Sequence, residues 1–298
     1  MTRLSIGVML STGSAGPAEI APRARHVEAL GLDALFVGDH LAGAMPVMDS
    51  TVTLGAVAAS TTRIRLGFGV MVLPLRHPAW AAKQIATLQR LSGDRVILGV
   101  GIGGAPHGTA AFDAVGVPFG ERGRRTDAAL EVLPGLISGK PTLLPSGPSI
   151  ALEPGAEVPP IWVGGGSAPA VRRAVEHADA WFPSEVLAGW VEQGARRMAE
   201  LAAERGRPRP GVAVGGSVLL GGSRTSRALD EHVAALTGMY GLPAEVAASV
   251  PITGSPRRAA ERFAEYGSAG AQHLVLGIIG EDWLRQCELI AEARALLE

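Results

Sequence analysis

Eight alternations of a short apolar run with a longer helix-patterned segment predict an α/β protein, and within that class a closed (β/α)8 TIM barrel with insertions. Three observations support the barrel. The apolar runs are continuous, as in Val96-Ile97-Leu98-Gly99-Val100, which is the pattern of parallel strands covered on both faces. The chain has 298 residues, enough for a barrel that needs roughly 250. An open doubly wound sheet also satisfies the alternation, but such sheets usually close after about five or six strands.

The units follow in order along the chain. Leu4 to Leu10 reads as a buried strand, and Pro17 opens a helix that carries Ile20, Ala24, Val27, Ala29 and Leu30 and stops at Gly31. Proline suits the first position of a helix and glycine its exit. Strand 33–37 leads to helix 50–60, strand 65–70 to helix 78–91, and strand 95–100 through a long Gly/Pro-rich loop to helix 121–137. In the second half, strand 161–163 leads to helix 169–177, strand 180–182 to helix 187–205, strand 212–220 to helical material over 226–267, and strand 273–276 to helix 283–297. Two stretches interrupt the alternation. Residues 139–160, rich in proline, read as an insertion between the fourth helix and the fifth strand, and residues 238–256 as an irregular segment able to form a lid. No Pro/Ser linker divides the chain cleanly, so residues 1–298 are expected to form a single domain.

Composition narrows the function. The chain is 47% hydrophobic and 18% charged, which suits a well-buried globular core. Its 27 Lys and Arg against 28 Asp and Glu leave a formal net charge of -1, so no overall field favours nucleic acid or an anionic membrane. Small molecules are the expected partners. A single cysteine, Cys287, excludes an intrachain disulfide framework and a cysteine-based metal cluster and fits a reducing compartment. No run approaches ~18 uninterrupted apolar residues, and residues 1–7 carry no long apolar leader, so a cytoplasmic protein with no membrane span is expected.

Candidate chemistry sits where strands end. Asp39-His40 follows the run Ala34-Leu35-Phe36-Val37, at the carboxyl end of the second strand, where barrel enzymes hold their catalytic groups. A histidine there can take or give a proton near neutral pH. Asp39 can orient the imidazole or bond a cofactor, and neighbours on an extended chain face opposite ways, so the two need not share a role. Gly99-Val100-Gly101-Ile102-Gly103-Gly104 matches G-x-G-x-x-G after a strand. Pro106 and Gly108, however, stand where a phosphate-binding helix would begin, and Glu121 opens a helix instead of ending the next strand. These glycines therefore read as room for the backbone at the barrel mouth.

Gly164-Gly165-Gly166-Ser167 joins a strand to a helix beginning near Pro169, whose unpaired amides suit a phosphate or another anion; a tight turn is the alternative. His107, in the loop after the fourth strand, is placed either to face substrate or for local structural work, and His77 for the latter. His26, His177 and His232 belong to helices and are expected to face solvent or neighbours. No His, Asp or Glu spacing resembles a metal triad, so no catalytic metal is expected. Ser146, Ser149 and Ser167 lie outside any nucleophile elbow. Arg122, Arg124 and Arg125 read as a solvated basic face at a helix start.

Several blocks in one order resemble the bacterial luciferase-like superfamily of flavin- and deazaflavin-dependent oxidoreductases, over essentially the whole chain. They are Ile64-Arg65-Leu66-Gly67, Val72-Leu73-Pro74-Leu75-Arg76-His77-Pro78, Leu91-Ser92-Gly93-Asp94-Arg95, Gly116-Val117-Pro118-Phe119-Gly120-Glu121-Arg122-Gly123, Pro160-Ile161-Trp162-Val163 with the glycines after it, and Gly270-Ala271-Gln272-His273-Leu274-Val275. The resemblance implies a (β/α)8 barrel, usually a homodimer, with an isoalloxazine or deazaflavin ring across the carboxyl-terminal mouth. It places Asp39 and His40 against cofactor or substrate. It places Gly69-Val70 at a bulge, often with a non-prolyl cis peptide, behind the ring. Gly101 and Gly103 fall near ring and substrate, and Gly164, Gly165, Gly166 and Ser167 on the phosphate-side loop. The F420-dependent sugar-phosphate dehydrogenases, similar in Asp-His, carry Glu where this chain has Gly104, which argues against a sugar phosphate substrate. The resemblance implies an F420-dependent oxidoreductase with His40 as proton donor or acceptor. The alternatives are an FMNH2-dependent two-component monooxygenase and a flavin-binding protein without turnover. A flavin or F420 reductase would supply the reductant.

Overall fold

The computed structural model describes residues 3–11, 16–42, 47–104, 108–145, 147–221 and 227–297. His107 and Ser146 lie outside them. The strands are β1 (Ser5–Met9), β2 (Ala34–Val37), β3 (Arg65–Val72), β4 (Val96–Gly101), β5 (Thr142–Leu143), β6 (Ser149–Ile150), β7 (Ile161–Gly164), β8 (Ala180–Phe182), β9 (Gly211–Leu220), β10 (Ile252–Gly254) and β11 (His273–Ile278). The helices are α1 (Ile20–Ala29), α2 (Ser50–Ser60), α3 (Pro78–Ser92), α4 (Ala110–Ala114), α5 (Arg122–Ile137), α6 (Ala168–His177), α7 (Ala188–Glu204), α8 (Arg227–Gly238), α9 (Ala244–Ser249), α10 (Pro256–Ser268) and α11 (Trp283–Ala295).

Among the described residues, eight parallel strands close on themselves in the order β1-β2-β3-β4-β7-β8-β9-β11 and back to β1. The fold is a (β/α)8 TIM barrel. Both faces of its strands are buried, which explains the uninterrupted apolar runs. Along β2, Leu35 and Val37 belong to the layer between barrel and helices. Ala34 and Phe36 point the other way, into the barrel, with Ile97, Trp162, Phe182 and Val275. Phe36 stacks on Trp162 with centroids 5.6 Å apart, and Trp162 meets Phe182 edge-on at 5.5 Å. Gly67 makes room for this aromatic plug, since a Cβ there would lie 2.0 Å from the Phe36 ring.

Both interruptions differ from the sequence expectation by containing regular structure. The 139–160 segment forms the β5–β6 antiparallel hairpin and is tied to α3, where Gln89 Nε2 donates to the Glu157 carbonyl at 3.0 Å. The 238–256 segment, expected to be irregular, holds α9 and β10. Strand β9 runs two residues past its last partner in β11, Ile278, which pairs with Val218. The overhanging ladder edge is taken up by β10, with Ile252 opposite Val218 and Gly254 opposite Leu220. Helix α3 illustrates the local signals: His77 caps it, its Nδ1 accepting from the Ala79 amide at 3.3 Å, Pro78 fills the first turn, and Gly93 ends it at φ +67°. No helix among the described residues is long and apolar enough to cross a membrane.

Candidate functional site

The carboxyl ends of the barrel strands surround a cavity of about 630 Å³ with mostly apolar walls. Of the residues singled out in the sequence, Asp39, His40, Gly69, Val70, Gly101, Gly103, Gly164 and Gly165 line it. Gly166 is turned toward a separate groove beside α7, where a Cβ on it would come within 2.8 Å of the Trp190 ring. Ser167 starts α6 and makes no side-chain cap bond.

Asp39 is buried, at 5% exposure, and its carboxylate is heavily engaged. Oδ1 accepts from Ser50 Oγ at 2.8 Å and Arg76 Nη2 at 2.7 Å; Oδ2 accepts from Arg76 Nη1 at 2.6 Å and the Val72 amide at 2.8 Å. Four donors match the roughly four lone-pair sites of a carboxylate. The pair ties the end of β2 to the end of β3 and the start of α2, and the charge-assisted fork makes it strong. His40, the next residue, is half-buried and presents to the cavity.

The floor of the cavity is a bulge in β3. Phe68 pairs with Leu98 and Met71 with Val100, so β3 spends one residue more than β4 over this interval. The Gly69-Val70 peptide within the bulge is cis. Three glycines clear space for the bulged backbone and for Val70. A Cβ on Gly99 would lie 2.1 Å from the Phe68 carbonyl oxygen; one on Gly101, 2.6 Å from Val70 Cγ2; one on Gly164, 3.3 Å from Val70 Cγ1. Gly103 has φ +74°, and a Cβ on it would meet Phe112 at 2.8 Å. The small residues around the mouth thus answer to the bulged backbone and to neighbouring side chains. In the loop after β7, Gly165 takes φ +107°; its amide donates to the Phe182 carbonyl at 3.2 Å, and its carbonyl accepts from Trp181 Nε1 at 2.7 Å.

Two groups in the mouth were not singled out for it. Arg122, read as part of a solvated basic face, lines the cavity instead. Its Nε donates to the Gly103 carbonyl at 3.2 Å, its Nη1 to the Phe119 carbonyl at 2.8 Å, and its guanidinium lies 3.9 Å over the Phe119 ring. Arg124 and Arg125 do stay at the surface, paired with Glu121. The second is Glu185, three residues past β8, in the left-handed region at φ +54°, unusual for a residue other than glycine. Its amide donates to the Gly215 carbonyl at 2.9 Å, and its Oε2 accepts from Ser217 Oγ at 2.9 Å. Burial pushes the Glu185 carboxyl up to about 7, against the opposing pull of the Ser217 hydroxyl. His232 places Nε2 4.0 Å from Glu185 Oε2, and burial pushes the imidazole pKa down. Burial thus disfavours the charged form of both partners in this contact. The same rule that selects Asp39-His40 points to Phe182-Pro183-Ser184-Glu185, a carboxylate just past an inner strand. His232, expected to face solvent or neighbours, faces Glu185.

The chain matches the profile of the luciferase-like monooxygenases over residues 1–248. It is 35% identical over 117 residues to a 4-hydroxyprotoasukamycin monooxygenase of Streptomyces nodosus subsp. asukaensis, covering 39% of this chain and 31% of that protein. It is 37% identical over 129 residues to an F420-dependent glucose-6-phosphate dehydrogenase of Kineococcus radiotolerans, covering 41% and 36%. An uncharacterized protein of Mycobacterium tuberculosis is 35% identical over 170 residues, 55% of this chain and 58% of that one, so each of these alignments spans less than two thirds of the relative. Among solved structures, an F420-dependent secondary alcohol dehydrogenase bound to an F420-acetone adduct superposes with a TM-score of 0.83 at 16% identity, covering 99% of both chains. The profile match, with the barrel it accompanies, establishes that this chain belongs to the luciferase-like monooxygenase family.

Proposed function

We propose that the protein is an oxidoreductase that uses coenzyme F420 to transfer a hydride to or from a small organic substrate at the barrel mouth. The observation that carries this reading is the floor of the cavity: Val70, raised on its bulge and ringed by Gly99, Gly101 and Gly164, offers an apolar platform to a flat ring. The cavity of about 630 Å³ is of a size for a ring with a small substrate. The deazaflavin reading is supported by the 37% identity to an F420-dependent dehydrogenase.

In this reading Val70 supports one face of the ring, while Gly101, Gly103, Gly164 and Gly165 leave its edges unobstructed. Gly166 and Ser167 lie toward the cofactor's anionic tail. Asp39 acts by position: locked by Arg76, it fixes the backbone that carries His40. His40 gives or takes a proton at the mouth. When bound, F420 supplies or accepts the hydride. Exposed Val52 on α2 and Trp80 on α3, helices that pack on each other, support a homodimer.

A second reading, a two-component monooxygenase fed with FMNH2 by a partner reductase, is supported by the 35% identity to a monooxygenase. Fluorescence titration of the purified protein with oxidised and reduced F420 and FMN separates the two. Tighter binding of the deazaflavin is the expected result. Tighter binding of reduced FMN, with F420 not bound, overturns it.

A further inference from the structure

We propose that Glu185 is a second proton-handling residue of the mouth, that it protonates the oxygen of a carbonyl substrate, and that His232 exchanges the proton with it from behind. The inference rests on the F420 reading and adds a substrate class to it.

The chemistry requires two groups. When a dihydrodeazaflavin reduces a carbonyl compound, the carbonyl carbon gains a hydride, the C–O π pair moves onto oxygen, and that oxygen takes a proton to become a hydroxyl. The donor ring, having lost the hydride, releases a nitrogen-bound proton. One side chain must give a proton and another must take one, at two different places. His40 alone fills one position.

Glu185 fits the other. It lines the same cavity as His40 but comes from the opposite half of the chain, past β8. Its left-handed backbone is held by the bond from its amide to Gly215, and Oε2 is held by Ser217 on β9. A carboxyl with a raised pKa at such a place stays protonated at neutral pH far more than an ordinary one and donates to a neutral acceptor, for which a carbonyl oxygen is the matching partner. Behind it on α8, the buried Nε2 of His232 has no hydrogen-bond partner among the described residues and sits 4.0 Å from Oε2. A small movement brings that nitrogen into hydrogen-bonding range. The imidazole is itself 28% exposed, which connects it to solvent. The groups facing Glu185 are Ser217 from β9, His232 from α8, Tyr240 just past α8 and Tyr266 from α10, and burial, together with the Glu185 charge, raises the pKa of both tyrosines.

The test uses the apoprotein and the loaded enzyme, with Glu185→Gln, Glu185→Asp and His232→Asn. In the apoprotein, the infrared carboxyl band that is lost in Glu185→Gln is expected to titrate near pH 7, and its midpoint to move in His232→Asn. A band already absent at pH 6 overturns the proposal. With reduced F420 and cyclohexanone and acetophenone as carbonyl probes, Glu185→Gln is expected to lose about 100-fold or more in turnover while binding F420 as the wild type does. Glu185→Asp is expected to recover part of that rate. Unchanged turnover and pH profile in Glu185→Gln overturns the role of Glu185, and failure of the F420-loaded wild type on both ketones overturns the carbonyl class; either result leaves the F420 reading standing. Failure of the wild type to bind F420 overturns that reading itself, and this proposal with it.

Discussion

Arg76 closes a two-point fork on Asp39, Nη1 on Oδ2 at 2.6 Å and Nη2 on Oδ1 at 2.7 Å, across 37 residues of sequence. The relationship makes Asp39 the fastening between two strand ends, while His40 beside it lines the cavity. Removing one partner of a buried pair strands the other charge, at a cost of roughly 3–5 kcal/mol. Arg76→Ala is expected to fall in that range in urea unfolding, and Arg76→Lys to recover only part of it, because an ammonium cannot reproduce the fork.

His40→Ala is expected to leave the fastening intact. Its effect belongs in turnover: a loss of about 100-fold or more with cofactor affinity preserved, the usual worth of a positioned proton donor. Equal losses in affinity and turnover, measured by fluorescence titration beside steady-state kinetics, would instead make His40 a binding residue.

Gly101→Ala tests the platform. The new methyl would lie 2.6 Å from Val70 Cγ2 and push that side chain toward the cavity. Overpacking of this kind costs about 1–3 kcal/mol. We expect a lower melting temperature and weaker binding of the ring, with both partly restored in the double variant Gly101→Ala with Val70→Ala, since the two residues compete for one space.

Glu185 makes stability depend on pH in a direction opposite to that of a salt-bridged carboxylate. Its carboxyl rises from the ordinary 4.5 to about 7 on folding, so between those values the folded protein binds more protons than the unfolded chain, and stability falls as pH increases. The full penalty, ~3 kcal/mol, is reached above pH 7. His232 works the other way: its folded pKa is lowered from 6.5, so it contributes stability that grows as pH rises toward that value. Urea unfolding at pH 5 and pH 8 is expected to show wild type losing stability relative to Glu185→Gln at the higher pH. Parallel behaviour of the two proteins would count against a buried, proton-holding Glu185.

The eight barrel strands were legible because burial on both faces writes each as an unbroken apolar run, as in Val96 to Val100. Strand β10 was not: three residues are too few to show a period, and among the described residues Ile252 to Gly254 pair with Val218 to Leu220 at the end of β9. The place of the mouth cavity was legible from Asp39-His40 and the glycines at strand ends, which line it. Its electrostatics were not, since they arise from residues far apart in sequence. Arg76 reaches back to Asp39, and Ser217 and His232 converge on Glu185 from β9 and α8. Pro183 also masked Glu185, because a proline after a short strand reads as the start of a connection. His232 looked like any polar residue on an amphipathic helix, and only the packing of α8 shows what it meets.

The plug of Phe36, Trp162 and Phe182 has a consequence for the order of events. Among the described residues it fills the barrel axis beneath the mouth, so in the proposed reading cofactor and substrate would enter from the same side. On that reading the molecule that rests against Val70 is expected to arrive first and depart last. The kinetic signature of such a blind-ended vestibule is a compulsory sequence of arrivals, with the deeper molecule setting the pace of release.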